Sequence, residues 1–239
     1  MTPTVSLVLP VSNQADHVEG ILTQYLRDLS TLRCPVEVIV VVNASSDASL
    51  AICRRLAAAN PTLHVVDLEE GGWGRAVRAG MRVAAGELIA YTNSARTAST
   101  DLIRLISVAL ENRGSVVKAR RIVRDRLARR FGSLVYNLEC RSLLGCRSWD
   151  VNGTPKIFPR ASELLNSLTR DDDLIDAEFM SLCRRYSYRV IELPVTGTKR
   201  HGGRSTTGYG SALRMYRGVV ELRRAFREKK PGAPAIAKR

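Results

Sequence analysis

The stretch GELIAYTNSAR, residues 86–96, decides the fold. Leu88–Tyr91 is a short apolar run that follows a Gly-Glu pair and ends at small polar residues, a pattern typical of a buried strand. Thr92, Asn93 and Ser94 then continue into a loop. Ligands of open α/β sheets bind just beyond the carboxyl ends of the strands. We therefore expect a ligand beside Asn93.

This loop contains no carboxylate between Tyr91 and Thr100. A site that holds a divalent metal against a diphosphate needs hard oxygen ligands such as those of Asp or Glu. The sequence therefore predicts a site without a divalent metal, and we expect no cofactor.

Strand and helix patterns alternate four times over the first 92 residues. Three further apolar strands are predicted, at Val5–Val11, Val36–Val42 and Leu63–Leu68, and the second is apolar except for Glu37, as in a parallel strand that is covered on both faces. This alternation predicts the α/β class, with a mostly parallel central sheet and helices on both faces.

The second half of the chain is less regular. A long helix is predicted over Ile122–Leu144, a strand with an edge or bulge proline over Asp150–Phe158, and a last strand over Tyr188–Val195. Ser211–Lys230 reads as a basic helix. We expect one domain over residues 1–210, followed by a basic amphipathic helix and tail over 211–239.

The net charge of +14 is concentrated in two segments of the chain. Residues 199–239 contain twelve Lys or Arg against two Glu, and residues 113–130 contain eight against one Asp. The remainder is slightly acidic. Two basic segments on such a body favour polyanionic partners such as phosphates, anionic lipid or nucleic acid, although a solvated basic surface is the simpler alternative.

Cysteine usage and hydropathy indicate an intracellular location. The five cysteines form no C-x-x-C pair, so neither a disulfide framework nor a zinc site is indicated. The first residues have no basic region ahead of an apolar one, and no apolar stretch approaches the ~20 residues that a membrane span needs. We expect a cytoplasmic protein, or one bound peripherally at the inner membrane surface, and the sequence indicates no oligomeric state.

Six ordered motifs resemble the family-2 glycosyltransferases, and within them the branch that transfers a sugar from a nucleotide to a polyprenyl phosphate. They are VSLVLPVSNQ at 5–14, EVIVVVNASSDAS at 37–49, GGWGRAVRAG at 71–80, GELIAYTNSA at 86–95, DVNGTPKIFPR at 150–160 and SYRVIELPVTGTKRHGGRST at 187–206. Each motif alone is weak evidence for the family, but six motifs in the same order over residues 4–210 are strong evidence. The resemblance implies a GT-A fold that holds a nucleotide-diphosphate sugar near Asn93.

The resemblance assigns residues to three roles. The donor-binding candidates are Pro10, Asn13, Gln14, Asn43, Ser45, Asp47, Gly72, Gly74, Arg75, Asn93 and Ser94. The acceptor-binding candidates are Lys118, Arg120, Asp150, Asn152, Lys156, Arg200, Arg204 and Ser205. The candidate catalytic residues are Asp176 and Glu178, although acids at a helix N-terminus are also common macrodipole partners.

The departures from the family pattern all remove carboxylates. The D-x-D motif that holds Mg²⁺ or Mn²⁺ is Asn93-Ser94-Ala95 here, the acidic pair after the second strand is Val42-Asn43, and the Glu after P-x-x-N is Gln14. Two readings follow. In one, the enzyme neutralises the diphosphate through the amides of the Gly72–Gly74 turn and through cationic side chains, Arg75, Lys118, Arg120, Lys199 and Arg200. In the other, the chain is an inactive binding module.

The expected partners are a nucleotide-sugar and a polyprenyl phosphate at an anionic membrane surface. A hydroxyl acceptor needs a general base, whereas a phosphate acceptor is already an anion and needs cations to seat it. Met215, Val219, Leu222 and Phe226 form one apolar stripe on the last helix, which either lies in a lipid interface or packs on the domain. No recognition-helix or stacking pattern indicates nucleic acid, which we do not expect as a partner.

Overall fold

The computed structural model describes residues 2–94, 97–122, 127–196 and 209–228 of the chain. Its strands are β1 (Val5–Val11), β2 (Val36–Asn43), β3 (Leu63–Leu68), β4 (Leu88–Tyr91), β5 (Val116–Arg121), β6 (Lys156–Pro159) and β7 (Val190–Val195). Its helices are α1 (Val18–Leu29), α2 (Ser49–Ala59), α3 (Trp73–Val83), α4 (Ser99–Glu111), α5 (Leu127–Glu139), α6 (Glu163–Ser167), α7 (Ile175–Arg185) and α8 (Tyr209–Glu228). A π-helical turn at Cys140–Leu144 continues α5.

The seven strands form one sheet in the order β3-β2-β1-β4-β6-β5-β7. Every described pairing is parallel except the two that β6 makes with β4 and β5. Because β6 lies antiparallel between two parallel strands, it places Lys156 opposite Tyr91 on one side and opposite Lys118 on the other. The predicted α/β class with a mostly parallel sheet is confirmed.

Alternate residues of the central strands point to two separate cores, as strand geometry requires. Leu7 and Leu9 of β1 belong to a core with α1, α2 and α4. Val8 of the same strand belongs to a second core with α3, α7, α8 and the π-helical turn. Helices thus cover both faces of the sheet, which confirms that part of the prediction.

The sixth strand begins later than the sequence pattern indicates. Residues 150–155, which we predicted to be extended, form a turn in which Gly153 N–H donates to the carbonyl of Asp150 at 2.9 Å. The carboxylate of Asp150 accepts from the backbone N–H and the guanidinium of Arg121 at the end of β5. These bonds fasten the turn to β5, and the strand proper starts only at Lys156.

The last helix packs into the domain. Val219 and Leu222 are buried in the second core, and Met215 and Phe226 pack against it. The apolar stripe of α8 therefore faces protein, which corrects the reading that places this stripe in lipid. The division of the chain at residue 210 stays a prediction, and residues 229–239 lie outside the described chain.

None of the described helices is both long enough and apolar enough to span a bilayer.

One close approach between a helix and the sheet depends on a glycine. A Cβ added to Gly80 of α3 would lie 2.3 Å from Val8 Cγ1 and 3.0 Å from Val41 Cγ2. Gly20 of α1 is also a helical glycine, but it is exposed and a Cβ there would meet nothing within 4 Å. Gly80 is therefore closely packed, whereas Gly20 has open space around it.

We predict opposite stability changes for alanine at these two positions. Gly80→Ala should lower the free energy of unfolding by about 1–3 kcal/mol, because overpacking displaces the helix from the sheet. Gly20→Ala should raise it by roughly 0.5–1 kcal/mol, because alanine favours the helix and nothing obstructs the methyl group. Urea unfolding followed by circular dichroism measures both changes. Equal effects of the two substitutions would contradict the close packing of α3.

Candidate active site

The loops that follow β1 and β2 are bonded to each other at the carboxyl edge of the sheet. The side-chain carbonyl of Asn13 accepts from the backbone N–H of Ser46 at 2.9 Å, and Asn13 N–H donates to Ser45 Oγ at 3.1 Å. Asn13 adopts a left-handed backbone with φ of 49°, which Asn tolerates better than most residues. These two donor-binding candidates therefore shape the edge of the site.

A second set of bonds connects these loops to the loop after β4. Ser94 Oγ donates to Gln14 Oε1 at 2.8 Å, and the backbone N–H of Gln14 donates to Ser49 Oγ at 2.9 Å. Asp47 accepts from the N–H groups of Ala15 and Ser49, each at 2.9 Å. Burial acts to raise the pKa of Asp47, but the hydrogen bonds outweigh it and hold that pKa below its usual value. Predicted donor-site residues from three loops thus meet at one place.

Asn43 presents an unused acceptor at the end of β2. Its Nδ2 donates to the carbonyl of Gly72 at 3.3 Å, and its Oδ1 is buried without a hydrogen-bond partner in the structure. A buried amide oxygen without a partner costs free energy that a ligand donor would recover. Asn43 is therefore the donor-binding candidate with the most direct structural support.

The glycine turn before α3 packs against protein backbone. A Cβ on Gly72 would lie 2.5 Å from the carbonyl oxygen of Asp171, and one on Gly74 would lie 2.4 Å from that of Arg170. The N–H of Arg75 donates to the Asp171 carbonyl at 3.0 Å, and its guanidinium pairs with Glu70. This arrangement corrects the expectation that the turn cradles a diphosphate, because a neighbouring segment already occupies the helix N-terminus.

Two further donor candidates have simpler positions. Pro10 is buried within β1, opposite Val41 of β2, so it contributes to the sheet. Asn93 is half-buried two residues beyond the end of β4, in the loop that carries Ser94. The next residue, Ala95, lies outside the described chain.

Asp176 is a buried carboxylate at the start of α7. It is 5% exposed in the first turn of α7, and it accepts from Tyr91 Oη at 2.9 Å and forms an ion pair with Lys156. Tyr91 is the last residue of β4, and Lys156 is the first of β6. Both partners bond to Oδ1, and no described side chain bonds to Oδ2. The carboxylate of Asp176 is therefore held between the end of β4 and the start of β6, and its catalytic role stays a prediction.

Glu178 does not share this position. Its two carboxylate oxygens accept from the backbone N–H of Thr169 at 3.0 Å, from the Thr169 hydroxyl at 2.6 Å and from the N–H of Arg170 at 2.9 Å. Three donors occupy a carboxylate that is 3% exposed. The candidate catalytic role of Glu178 is therefore corrected: this residue stabilises the segment that leads into α7.

One residue of this site is not recognisable from the sequence motifs. Tyr91 reads as the end of an apolar strand, and its bond to Asp176 becomes visible only in the fold.

Most described acceptor candidates are engaged in structural contacts. Lys118 is fully buried and donates to the carbonyl of Asp150 at 2.8 Å and to Glu192 Oε1 at 3.1 Å. Burial and the nearby charge of Lys156 lower the pKa of Lys118 to about 8. Asp150 is held by Arg121. The roles of Lys118, Asp150 and Lys156 as acceptor contacts are thus corrected, because each of these side chains is already engaged by partners within the protein.

The remaining acceptor candidates divide into two groups. Arg120 is exposed near the end of β5, and Asn152 keeps a buried Oδ1 without a hydrogen-bond partner in the structure. These two are available to a ligand. Arg200, Arg204 and Ser205 lie outside the described residues, as does Lys199.

Solved structures show the same fold with nucleotides bound. Glucosyl-3-phosphoglycerate synthase from Mycobacterium tuberculosis, in complex with Mn²⁺, UDP and glucosyl-3-phosphoglycerate, is similar with a TM-score of 0.65 and 20% identity, over 92% of this chain and 78% of that one. The same enzyme with Mg²⁺ and UDP gives a TM-score of 0.64 and 19% identity over the same shares. A mycobacterial protein gives a TM-score of 0.66 and 20% identity, over 92% and 73%.

The expectation of a site without a divalent metal or other cofactor is wrong. The similar synthase structures contain Mn²⁺ or Mg²⁺ together with UDP, which indicates a divalent metal in this family. Within the described part of the chain, no three His, Cys, Asp or Glu side chains are grouped as they would be around a metal ion. We therefore assign no metal ligand among the residues described above.

Family membership follows from the sequence match. None of the curated proteins matches the chain significantly, but the model of the family described as glycosyl transferase family 2 matches residues 6–189. That span includes the three loops of the site and the carboxylate of Asp176. The chain therefore belongs to glycosyl transferase family 2, and it is a glycosyltransferase.

Proposed function

We propose that this chain transfers a sugar, with inversion, from a uridine-diphosphate sugar to a hydroxyl group of a small phosphorylated acceptor. The observation that carries the proposal is the position of Asp176, which is fastened to the end of β4, the strand that leads into the loop of Asn93, and to the start of β6. A hydroxyl acceptor needs a general base to take its proton, and a carboxylate in this position can supply one.

The donor half of the proposal depends on the bonded loops after β1, β2 and β4. Asn43 Oδ1 and the loop of Asn93 and Ser94 line the carboxyl edge of the sheet, where nucleotides bind in open α/β folds. The similar synthase structures hold UDP or UDP-glucose, which supports a uridine nucleotide as the donor of this chain.

The proposed reaction is a single displacement. The acceptor oxygen forms a bond to the anomeric carbon from the face opposite the diphosphate, and the bond between that carbon and the diphosphate oxygen breaks. UDP leaves with the bonding electron pair, and the hydroxyl proton moves to Asp176 Oδ2. Tyr91 and Lys156 hold the other oxygen of that carboxylate, so its orientation is set before the acceptor arrives.

The acceptor can be a small phosphorylated molecule whose hydroxyl attacks, or a polyprenyl phosphate whose phosphate attacks. The similar synthase is described with phosphoglyceric acid and with glycerol 3-phosphate, which supports a small acceptor whose phosphate is a handle and whose hydroxyl attacks. The polyprenyl phosphate expected from the sequence has no counterpart in those structures, and the packed stripe of α8 removes one argument for a membrane surface. The small acceptor is therefore favoured.

The first prediction concerns the donor. Asn43→Ala should weaken UDP binding about 2–10-fold, because one neutral hydrogen bond contributes roughly 0.5–1.5 kcal/mol. The measurement is calorimetric titration of UDP in the presence of Mn²⁺. Asn60→Ala is the matched control, because Asn60 bonds to the Leu56 carbonyl at the far end of α2. Unchanged UDP affinity in the Asn43 variant would contradict the placement of the nucleotide.

The second prediction concerns the base. Asp176→Asn should lower kcat by ~10²–10⁴ with a hydroxyl acceptor, because the amide cannot accept the proton. Transfer from UDP-glucose to 3-phosphoglycerate is the assay, with UDP affinity and melting temperature measured on the same samples. Asp173→Asn, which makes the same change three residues earlier, is the matched control and should cost less.

Three outcomes decide the matter. A larger loss in the Asp173 variant would move the base to that residue. A wild-type chain that transfers sugar only to polyprenyl phosphate, with a mild Asp176 effect, would replace the acceptor class. UDP-glucose binding without turnover on any acceptor would favour an inactive binding module.

A further inference from the structure

A cavity lined by arginine side chains lies between α7 and α8. It has a volume of about 350 Å³ and lies between the π-helical turn, the end of α7 and the last turns of α8. Four of its eight lining residues are Arg184, Arg185, Arg223 and Arg227, and none of the eight is acidic. We propose that this cavity binds a phosphate-bearing anion.

Two of the four guanidinium groups donate to backbone carbonyls at the edge of the cavity. Arg184 donates to the carbonyl of Leu144 at 3.2 Å, and Arg185 donates to the carbonyl of Phe226 at 3.1 Å. Within the described ranges, neither Arg184 nor Arg223 nor Arg227 pairs with a carboxylate. Like charges around one cavity repel each other, and an anion between them would offset that repulsion.

The backbone makes room for one of these arginines. Gly145 ends the π-helical turn in the left-handed conformation, with φ of 66°. A Cβ at this position would lie 1.2 Å from Arg184 Nη1. Because residue 145 is glycine, the Arg184 guanidinium can lie over the turn, where it lines the cavity. π-Helical turns are often found at functional sites.

The helix macrodipole explains the positions of only two of the four arginines. Arg184 and Arg185 lie in the last turn of α7, where cations commonly offset the helix macrodipole. That effect does not explain why Arg223 and Arg227, four residues apart on α8, line the same cavity. Arginine forks match phosphate oxygens in a bidentate manner, which favours phosphate over other anions.

The apolar part of the lining indicates an organic ligand. Leu143, Leu144 and Phe226 line the cavity beside the arginines. The volume is within the range of small-molecule sites, roughly 300–1,000 Å³. Two sources supply this chemistry, a soluble organic phosphate and a lipid phosphate headgroup. The site is separate from the donor loops, because Arg184 follows Asp176 by eight residues, about 12 Å along α7.

The test compares two double variants of α8 that remove the same charge. Arg223→Gln/Arg227→Gln removes two lining arginines, and Arg217→Gln/Arg224→Gln removes two exposed arginines outside the cavity. One arm titrates glucose 6-phosphate and pyrophosphate by calorimetry with UDP saturating the donor site. The other arm measures sedimentation with phosphatidylcholine vesicles, with and without phosphatidic acid.

The lining variant should bind at least one probe about tenfold or more weakly than wild type, because two charge-assisted contacts are lost. The control variant should bind each probe within about twofold of wild type, since salt screens exposed charges that lie outside the cavity. An effect in the first arm identifies a soluble phosphate, and one in the second arm a lipid headgroup. No binding of any probe by wild type, or equal losses in both variants, would overturn the proposal.

Discussion

The buried ion pair between Lys156 and Asp176, with the hydroxyl of Tyr91, is the interaction on which the site depends. It connects the single antiparallel strand, the end of β4 and the first turn of α7, with Lys156 and Asp176 0% and 5% exposed. Breaking such a pair by removing one partner typically costs about 3–5 kcal/mol, because the remaining charge stays buried. A buried pair of this kind is weak evidence for stability alone, and its value here is to fix the direction of a carboxylate.

The same strand organises a second set of buried charges. Lys118 lies opposite Lys156 across the β5–β6 pair, and it is satisfied by backbone carbonyls, Ser148 and Glu192. Proximity to Lys156 and burial both lower the pKa of Lys118. Each of the two buried lysines therefore needs its own oxygen partners. Because Lys118 and Lys156 find these partners inside the protein, their side chains point into the core and not toward an acceptor. Arg120, which is exposed, and Asn152, whose Oδ1 has no hydrogen-bond partner, remain the predicted acceptor contacts in the described chain.

The sequence predicts the sheet well, because continuous apolar runs and the turns between them are local signals. It also places Asn43 at the carboxyl edge of the sheet, since strand ends converge in a parallel sheet. It fails where a role depends on partners from distant elements. Glu178 is bonded to the segment before α7, the glycine turn is filled by backbone, and Tyr91 is a hydroxyl donor. No periodicity or motif records such pairings, and the arginine cavity likewise forms only when α7 meets α8.

The measurement that tests the central claim most directly is the turnover of Tyr91→Phe. This change removes the hydroxyl that bonds to Asp176 but keeps the ring, which packs edge-on against Phe179 with centroids 5.9 Å apart. If the hydrogen bond orients the catalytic carboxylate, kcat should fall by at least about tenfold, because a bond to a charged group contributes roughly 1.5–3 kcal/mol, while UDP affinity stays unchanged. Wild-type turnover in a folded Tyr91→Phe variant would contradict the account.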